Sequence, residues 1–246
     1  AFKAYQTSVE AARARGDLLK QIGRLSNLAT LQQEMGLLEA ATKSYSEADT
    51  LARLTESERE VVRLRLNWAN MLSWYGDANQ AFALAIDALE RAKRLSMPIE
   101  QAYLHLLLTE VALLRADRQD SAAQLKEARR LFTMQNHTVG LCEAFSVEAA
   151  VALFERDFGH VKQCSKQAIS MARELGRSRL EAQAELWLGL CEMEMTGETA
   201  EVVPLMKRAA ELATELDDFH LAWFSHSLLA RCYELSKENT ASRAHV

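Results

Sequence analysis

His160 and Cys164 are the side chains whose types and spacing suggest chemistry most directly. Four residues apart in a helical stretch, an imidazole and a thiol share one face and could both ligate a borderline-soft metal ion. No nearby partners of the same spacing accompany them, so the sequence assigns them to packing or to the surface, and no metal is expected. The other five histidines, His105, His137, His220, His226 and His245, offer no better set. Two groups of carboxylates, Glu56-Glu58-Glu60 and Glu192-Glu194, have the composition of acid–base pairs. The first sits at a helix start, where negative charge complements the helix dipole. Phosphate-cradling glycine loops, H-E-x-x-H and G-x-S-x-G are all absent from the sequence. The chain is therefore expected to be no enzyme and to carry no cofactor.

Composition narrows the classes further. Net charge is −5, divided as −1 over residues 1–123 and −4 over 124–246. Neither half has the basic excess that phosphate-backbone binding requires, so nucleic acid is not expected as a partner of this segment. The cysteines Cys142, Cys164, Cys191 and Cys232 form no C-x-x-C, and all fall in helical stretches, where such residues act as small buried hydrophobes. A reducing, cytoplasmic setting is the expectation. No apolar run is long enough to span a bilayer, so no membrane contact is expected.

The elements that must position any site repeat at long range. Ala48, Ala88, Ala128 and Ala168 stand 40 residues apart, and Ala209 follows after one extra residue. A second ladder runs Ala12, Ala52, Ala92, Phe132, Ala172 and Ala213; a third runs Tyr5, Tyr45, Ala85, Leu125, Ser165 and Met206. A fixed long period signals one structural unit copied in tandem. With 9 Gly and 2 Pro in 246 residues, and Ala, Leu, Glu, Arg and Gln dominant, that unit is helical.

Short breaks divide the chain into helices near 17–35, 38–54, 57–75, 78–95, 98–115, 118–135, 138–156, 158–175, 178–196, 199–216 and 218–236. An opening helix covers about 1–14, and a short closing one begins near 239. Breaks such as Tyr75-Gly76-Asp77 supply helix stops and N-caps, and Pro98 suits a first helical position. Pro204 leads us to expect that its helix starts late, near Val203. The Ala rungs should lie where neighbouring helices approach most closely.

The helix A, turn, helix B pattern resembles the tetratricopeptide (TPR) superfamily. Leu25, Leu28 and Ala29 with Ala41, Tyr45 and Ala48 fill its small-and-aromatic spacing; Trp68, Ala69 and Leu72 with Ala81, Ala85 and Ala88 repeat it; Leu188-Gly189 is the most literal Leu-Gly pair. The period of 40 exceeds the usual 34. In this the chain is similar to the longer repeats of MalT-like activators, peptide-sensing Rap-type proteins and segments preceding diguanylate cyclase domains. The resemblance implies an all-α fold, a right-handed αα-superhelix of about six helix pairs. It also implies one repeat domain over 1–246, with units near 17–56, 57–96, 97–136, 137–176 and 177–217 and partial repeats at 1–16 and 218–246. Residues at both ends fall mid-repeat, so the segment reads as excised from a larger protein.

The resemblance further implies a concave face lined by helix A. Its rows are Gly23, Arg63, Tyr103, Glu143 and Gln183; Thr30, Asn70, Glu110, Ala150 and Leu190; and Glu34, Trp74, Leu114, Phe154 and Glu194. With Asn67, they give a partner-binding set of Arg63, Asn67, Asn70, Trp74, Tyr103, Glu110, Leu114 and Phe154. The carboxylate clamp for chaperone tails is matched at Asn67 alone, so that ligand is not expected. The strip Trp74, Leu114 and Phe154 is open to two readings, an exposed groove or packing between repeats. The implied role is a non-enzymatic interaction or sensing segment of a cytoplasmic regulator that binds a protein or peptide, with self-association possible in principle. The alternatives are a small-ligand sensor, for example of oligosaccharides, in a MalT-like transcription activator, and a regulatory extension of a signalling enzyme such as a diguanylate cyclase.

Overall fold

A computed structural model of the chain describes residues 2–196, 199–216 and 218–243. Among these residues the secondary structure is entirely helical, in twelve helices. They are α1 (Phe2–Ala14), α2 (Leu18–Glu34), α3 (Leu38–Leu54), α4 (Glu58–Trp74), α5 (Ala78–Arg94), α6 (Pro98–Leu114), α7 (Arg118–Met134), α8 (Thr138–Phe154), α9 (Phe158–Glu174), α10 (Ser178–Thr196), α11 (Thr199–Glu215) and α12 (Phe219–Arg243). No helix among the described residues is long and apolar enough to cross a membrane.

The three-residue connectors explain the regularity. Their central residues, from Gly16 and Gly36 through Glu56 and Gly76 to Gly176, adopt left-handed φ between 50 and 87°. The third residue then donates its N–H back to the helix just finished, as Leu37 does to Gln32 (2.8 Å), Asp77 to Leu72 (2.9 Å) and Asp117 to Ala112 (2.9 Å). This closes the helix in a Schellman-type stop. Asp77, Asp117 and Asp157 next cap the following helix, accepting from the amides of Gln80, Asp120 and His160 at 3.0–3.1 Å. Ala116, Asn136 and Arg156 occupy the left-handed position without being glycine. A β-carbon there costs about 1 kcal/mol, which the helix stop and packing offset.

The chain falls into two compact units, residues 1–137 and 138–246. In the first, α2–α3, α4–α5 and α6–α7 are antiparallel pairs; α2 touches α4, and α4 touches α6, so the A helices form one layer. In the second, α8–α9 and α10–α11 pair, and α10 also touches α8 and α12. Position in the layers dictates burial. α6, packed by α4, α5 and α7, buries every residue from Leu104 to Thr109 and so is covered on all faces. α5 buries only a stripe of Ala81, Ala85, Ala88, Leu89 and Ala92.

Every rung of the first ladder, Ala48 through Ala209, has no accessible surface, as do Ala52, Ala92, Phe132, Ala172 and Ala213 of the second. A larger side chain at such a crossing would force helices apart. The four cysteines are free and buried. Burial pushes the Cys142 thiol up to about 11, leaving it inert near neutrality.

Two expectations fail. α11 starts at Thr199, not near Val203, and Pro204 lies inside it. The proline removes one backbone hydrogen bond close to the helix start, while Val202, Met206, Ala209 and Ala210 bury on either side of it and hold the helix together. α12 runs unbroken to Arg243, with no separate closing helix from 239, because no Gly or Pro interrupts the stretch after Leu235. The breaks anticipated at 197–198 and 217, and the tail 244–246, lie outside the described residues.

Candidate functional site

In the first unit, α4 carries Arg63, Asn67, Asn70 and Trp74 at i, i+4, i+7 and i+11, one stripe along a single face about 16 Å long. The adjoining α6 carries Tyr103, Leu107, Glu110 and Leu114 at the same spacing. Arg63 and Asn67 are exposed, while Asn70, Trp74 and Glu110 are half-buried. Leu114 is 56% exposed, an apolar side chain left to solvent at the end of the stripe. Leu107 is instead part of the core beneath, packed with Val62, Leu104 and Val111.

Polar links fix these helices. The Arg63 guanidinium donates from Nε to Glu100 Oε1 (3.2 Å) and from Nη1 to Glu60 Oε1 (3.1 Å), joining α4 to the start of α6. Being exposed, it contributes orientation more than stability. Tyr75, at the end of α4, donates its hydroxyl to the Gln33 carbonyl (3.4 Å), tying α4 to α2. Tyr103 sits differently from its row-mates. Its ring meets Phe132 edge-on at 4.9 Å and His137 at 5.7 Å, so much of it is spent on packing.

Phe154 lies in the second unit, on α8, and is 40% exposed. The strip Trp74, Leu114 and Phe154 is thus not buried core, and the α4–α6 stripe holds two of its members. Elsewhere in the second unit, α8 presents Glu143, half-buried, whose carboxyl is pushed up to about 7 by burial, with Arg179 of α10 pulling the other way. Sequence spacing gave no sign of that titration, because it arises from the walls around the carboxyl.

Two further features belong to the second unit. A groove of about 530 Å³ is lined by Lys166, Ile169, Arg173, Glu185, Leu188 and Leu205. The Arg173 guanidinium is held there by Glu181 (2.9 Å) and Glu185 (2.8 Å). On α9, His160 and Cys164 are joined by Glu148 of α8, a residue the sequence reading passed over.

No protein-family model matches the chain, and no curated protein matches it. Solved structures do. BtubC from P. vanneervenii superposes with a TM-score of 0.65 at 17% identity, covering 89% of this chain and 92% of that one. A signal-transduction ATPase with numerous domains (STAND) from Pyrococcus horikoshii, described as having a tetratricopeptide repeat sensor, gives 0.61 at 14% identity. That match covers 93% of this chain but 35% of the ATPase. A Rap protein complexed with Competence and Sporulation Factor gives 0.61 at 15% identity over 95% of this chain and 75% of that one. The fold is TPR-like. The repeats therefore have the helix A and helix B roles used above.

Proposed function

We propose that this chain is a non-enzymatic TPR-like interaction segment that binds a protein or peptide on the helix A face formed by α4 and α6. The observation that carries the reading is the graded stripe: Arg63, Asn67 and Asn70 at one end, Trp74 and Leu114 at the other, all at least partly accessible on adjoining helices. Asn side chains offer both donors and an acceptor, which suits the backbone of an extended segment. Trp74 and Leu114 suit an apolar side chain of the same ligand, and Arg63 and Glu110 set charge preference. Tyr103 contributes the shape of the floor. Phe154 belongs to a corresponding face of the second unit. The fold shared with a repeat described as a sensor and with a Rap protein in complex with a factor supports a recognition role in a regulatory protein. Four buried free thiols support a reducing, cytoplasmic setting.

Peptides selected from a random-sequence display library test this. Binding measured by calorimetry should fall at least about tenfold, about 1.4 kcal/mol, in Asn67→Ala and in Leu114→Asp, and not in Lys166→Ala. Selected peptides whose affinity ignores both α4–α6 substitutions would contradict it. The groove beside Lys166 favours a second reading, a small-ligand site, since its volume falls in the range of such sites. Oligosaccharide binding abolished by Leu188→Asp and untouched by Asn67→Ala would select that reading instead.

A further inference from the structure

We infer that Glu148, His160 and Cys164 form a binding site for a zinc-class divalent cation on the α8–α9 hairpin. The three ligand atoms come from two helices and lie within 4.8 Å of one another. Glu148 Oε1 is 3.1 Å from His160 Nε2, and Cys164 Sγ is 3.5 Å from the same nitrogen. With Zn–N near 2.0–2.1 Å, Zn–O near 2.0–2.2 Å and Zn–S near 2.3 Å, tetrahedral coordination needs about 3.3 Å between N and O and about 3.6 Å between N and S. Both separations from Nε2 are close to these values, while the sulfur sits beside the ring, off the Nε2 lone pair.

Binding would place the carboxylate, the Nε2 lone pair and the thiolate on the cation, with the imidazole proton on Nδ1 and the thiol proton released to solvent. Carboxylate, imidazole and thiolate together suit zinc rather than magnesium or calcium.

Position and access fit as well. Asp157 caps α9 on the His160 amide (3.1 Å), fixing the backbone of one ligand. Cys164 is buried, Glu148 is nearly so, and the His160 side chain is 40% exposed, which gives an ion a way in from solvent. The sulfur also lies 3.9 Å from Nδ1, alongside the ring, so coordination closes with a turn of the imidazole. Three protein ligands leave the fourth position to water.

Cobalt(II), then zinc(II), added to the reduced, chelator-treated chain tests the site. The expected result is one Co²⁺ per chain, with a thiolate-to-cobalt charge-transfer band and intense tetrahedral visible bands that zinc abolishes. Cys164→Ala and His160→Gln should each remove the spectrum while retaining the helical circular dichroism. Glu148→Gln should weaken binding at least about tenfold. Cys142→Ala and Cys191→Ala should leave the spectrum intact. Absence of a thiolate band, or its survival in Cys164→Ala, would overturn the assignment.

Discussion

Arg65 of α4 and Glu185 of α10 stand three periods apart at the same position of helix A, one in each unit, and they carry opposite charge. Arg65 binds Asp49 of α3 through Nε (2.9 Å) and Nη2 (3.3 Å) and reaches Asp87 of α5. Arg91 joins the same cluster through Asp87 (2.7 Å) and Glu58 (2.7 Å). At Glu185 the polarity reverses. Arg173 of α9 binds both Glu181 and Glu185, and Arg208 of α11, which stands where Asp87 does in the first unit, approaches Glu181 at 3.4 Å. The slots between, His105 and Phe145, are filled by a hydrogen bond to Gln124 (2.6 Å) and by packing against the Ala149 cluster. The repeat thus fixes where an interior side chain goes, and leaves its charge free to differ.

The difference has electrostatic consequences. Burial works against the Asp87 charge, but Arg91 and Arg65 outweigh it and hold the carboxyl below its usual range. Its contribution is full above the ordinary carboxylate value and is lost only as pH falls through the depressed one. In the second unit, burial raises Glu185, with Arg173 opposing, and raises Glu143 to about 7. Raised carboxyls favour folding when protonated, so their penalty appears as pH rises from about 4.5 towards 7. Acidification from neutrality to about pH 5 should stabilise the second unit, whereas in the first unit burial holds His105 below its usual value, so the same change should destabilise it.

The largest effect separates the two slots. Arg65→Ala takes two charge-assisted hydrogen bonds from Asp49, whose side chain is 7% exposed and keeps only Arg53 (3.1 Å), and should cost about 3 kcal/mol in urea unfolding. Glu185→Gln should cost less than about 1 kcal/mol at neutral pH, since the folded environment already disfavours its charge. Equal losses would break the comparison. Next come the rungs, which do not differ between units: Ala128→Leu and Ala168→Leu should each cost roughly 1–3 kcal/mol by overpacking. Unchanged melting of either would remove it from a tight crossing.

Smaller still, Glu143→Gln should stabilise by on the order of 1–2 kcal/mol at about pH 8 and by little at about pH 5. A pH-independent difference in hydrogen-exchange protection of α8 would refute the burial account. The smallest effects fall at the connectors. Ala116→Gly should gain about 0.5–1 kcal/mol and Gly76→Ala lose about as much. A β-carbon at Gly76 would meet no atom within 4 Å, so thermal unfolding there reads the left-handed φ of 87° alone.

These contrasts mark what the residues disclosed in advance. The Ala ladders announced the helix pairs because a rung at a close crossing tolerates little but methyl, and that restriction survives as spacing. Asp77 was legible as a cap because a short carboxylate after the glycine stop can accept from a free amide of the next helix. Ala116 and Arg156 at left-handed φ were not, since the preceding helix imposes their conformation. Pro204 misled because propensity alone ignores the burial on both sides of it. At the site, the α4 stripe followed from the resemblance, but Tyr103 turned towards Phe132 and His137 through contacts that spacing does not encode. Glu148 was missed since it meets His160 and Cys164 only when the α8–α9 hairpin folds.

The central claim is recognition by the α4–α6 face, and amide chemical-shift mapping of the isotopically labelled chain with a library-selected peptide tests it most directly. The account predicts shifts concentrated at Arg63, Asn67, Asn70, Trp74, Glu110 and Leu114. Shifts confined to the outward faces of α5 and α7, at Glu90 and Lys126, would contradict it.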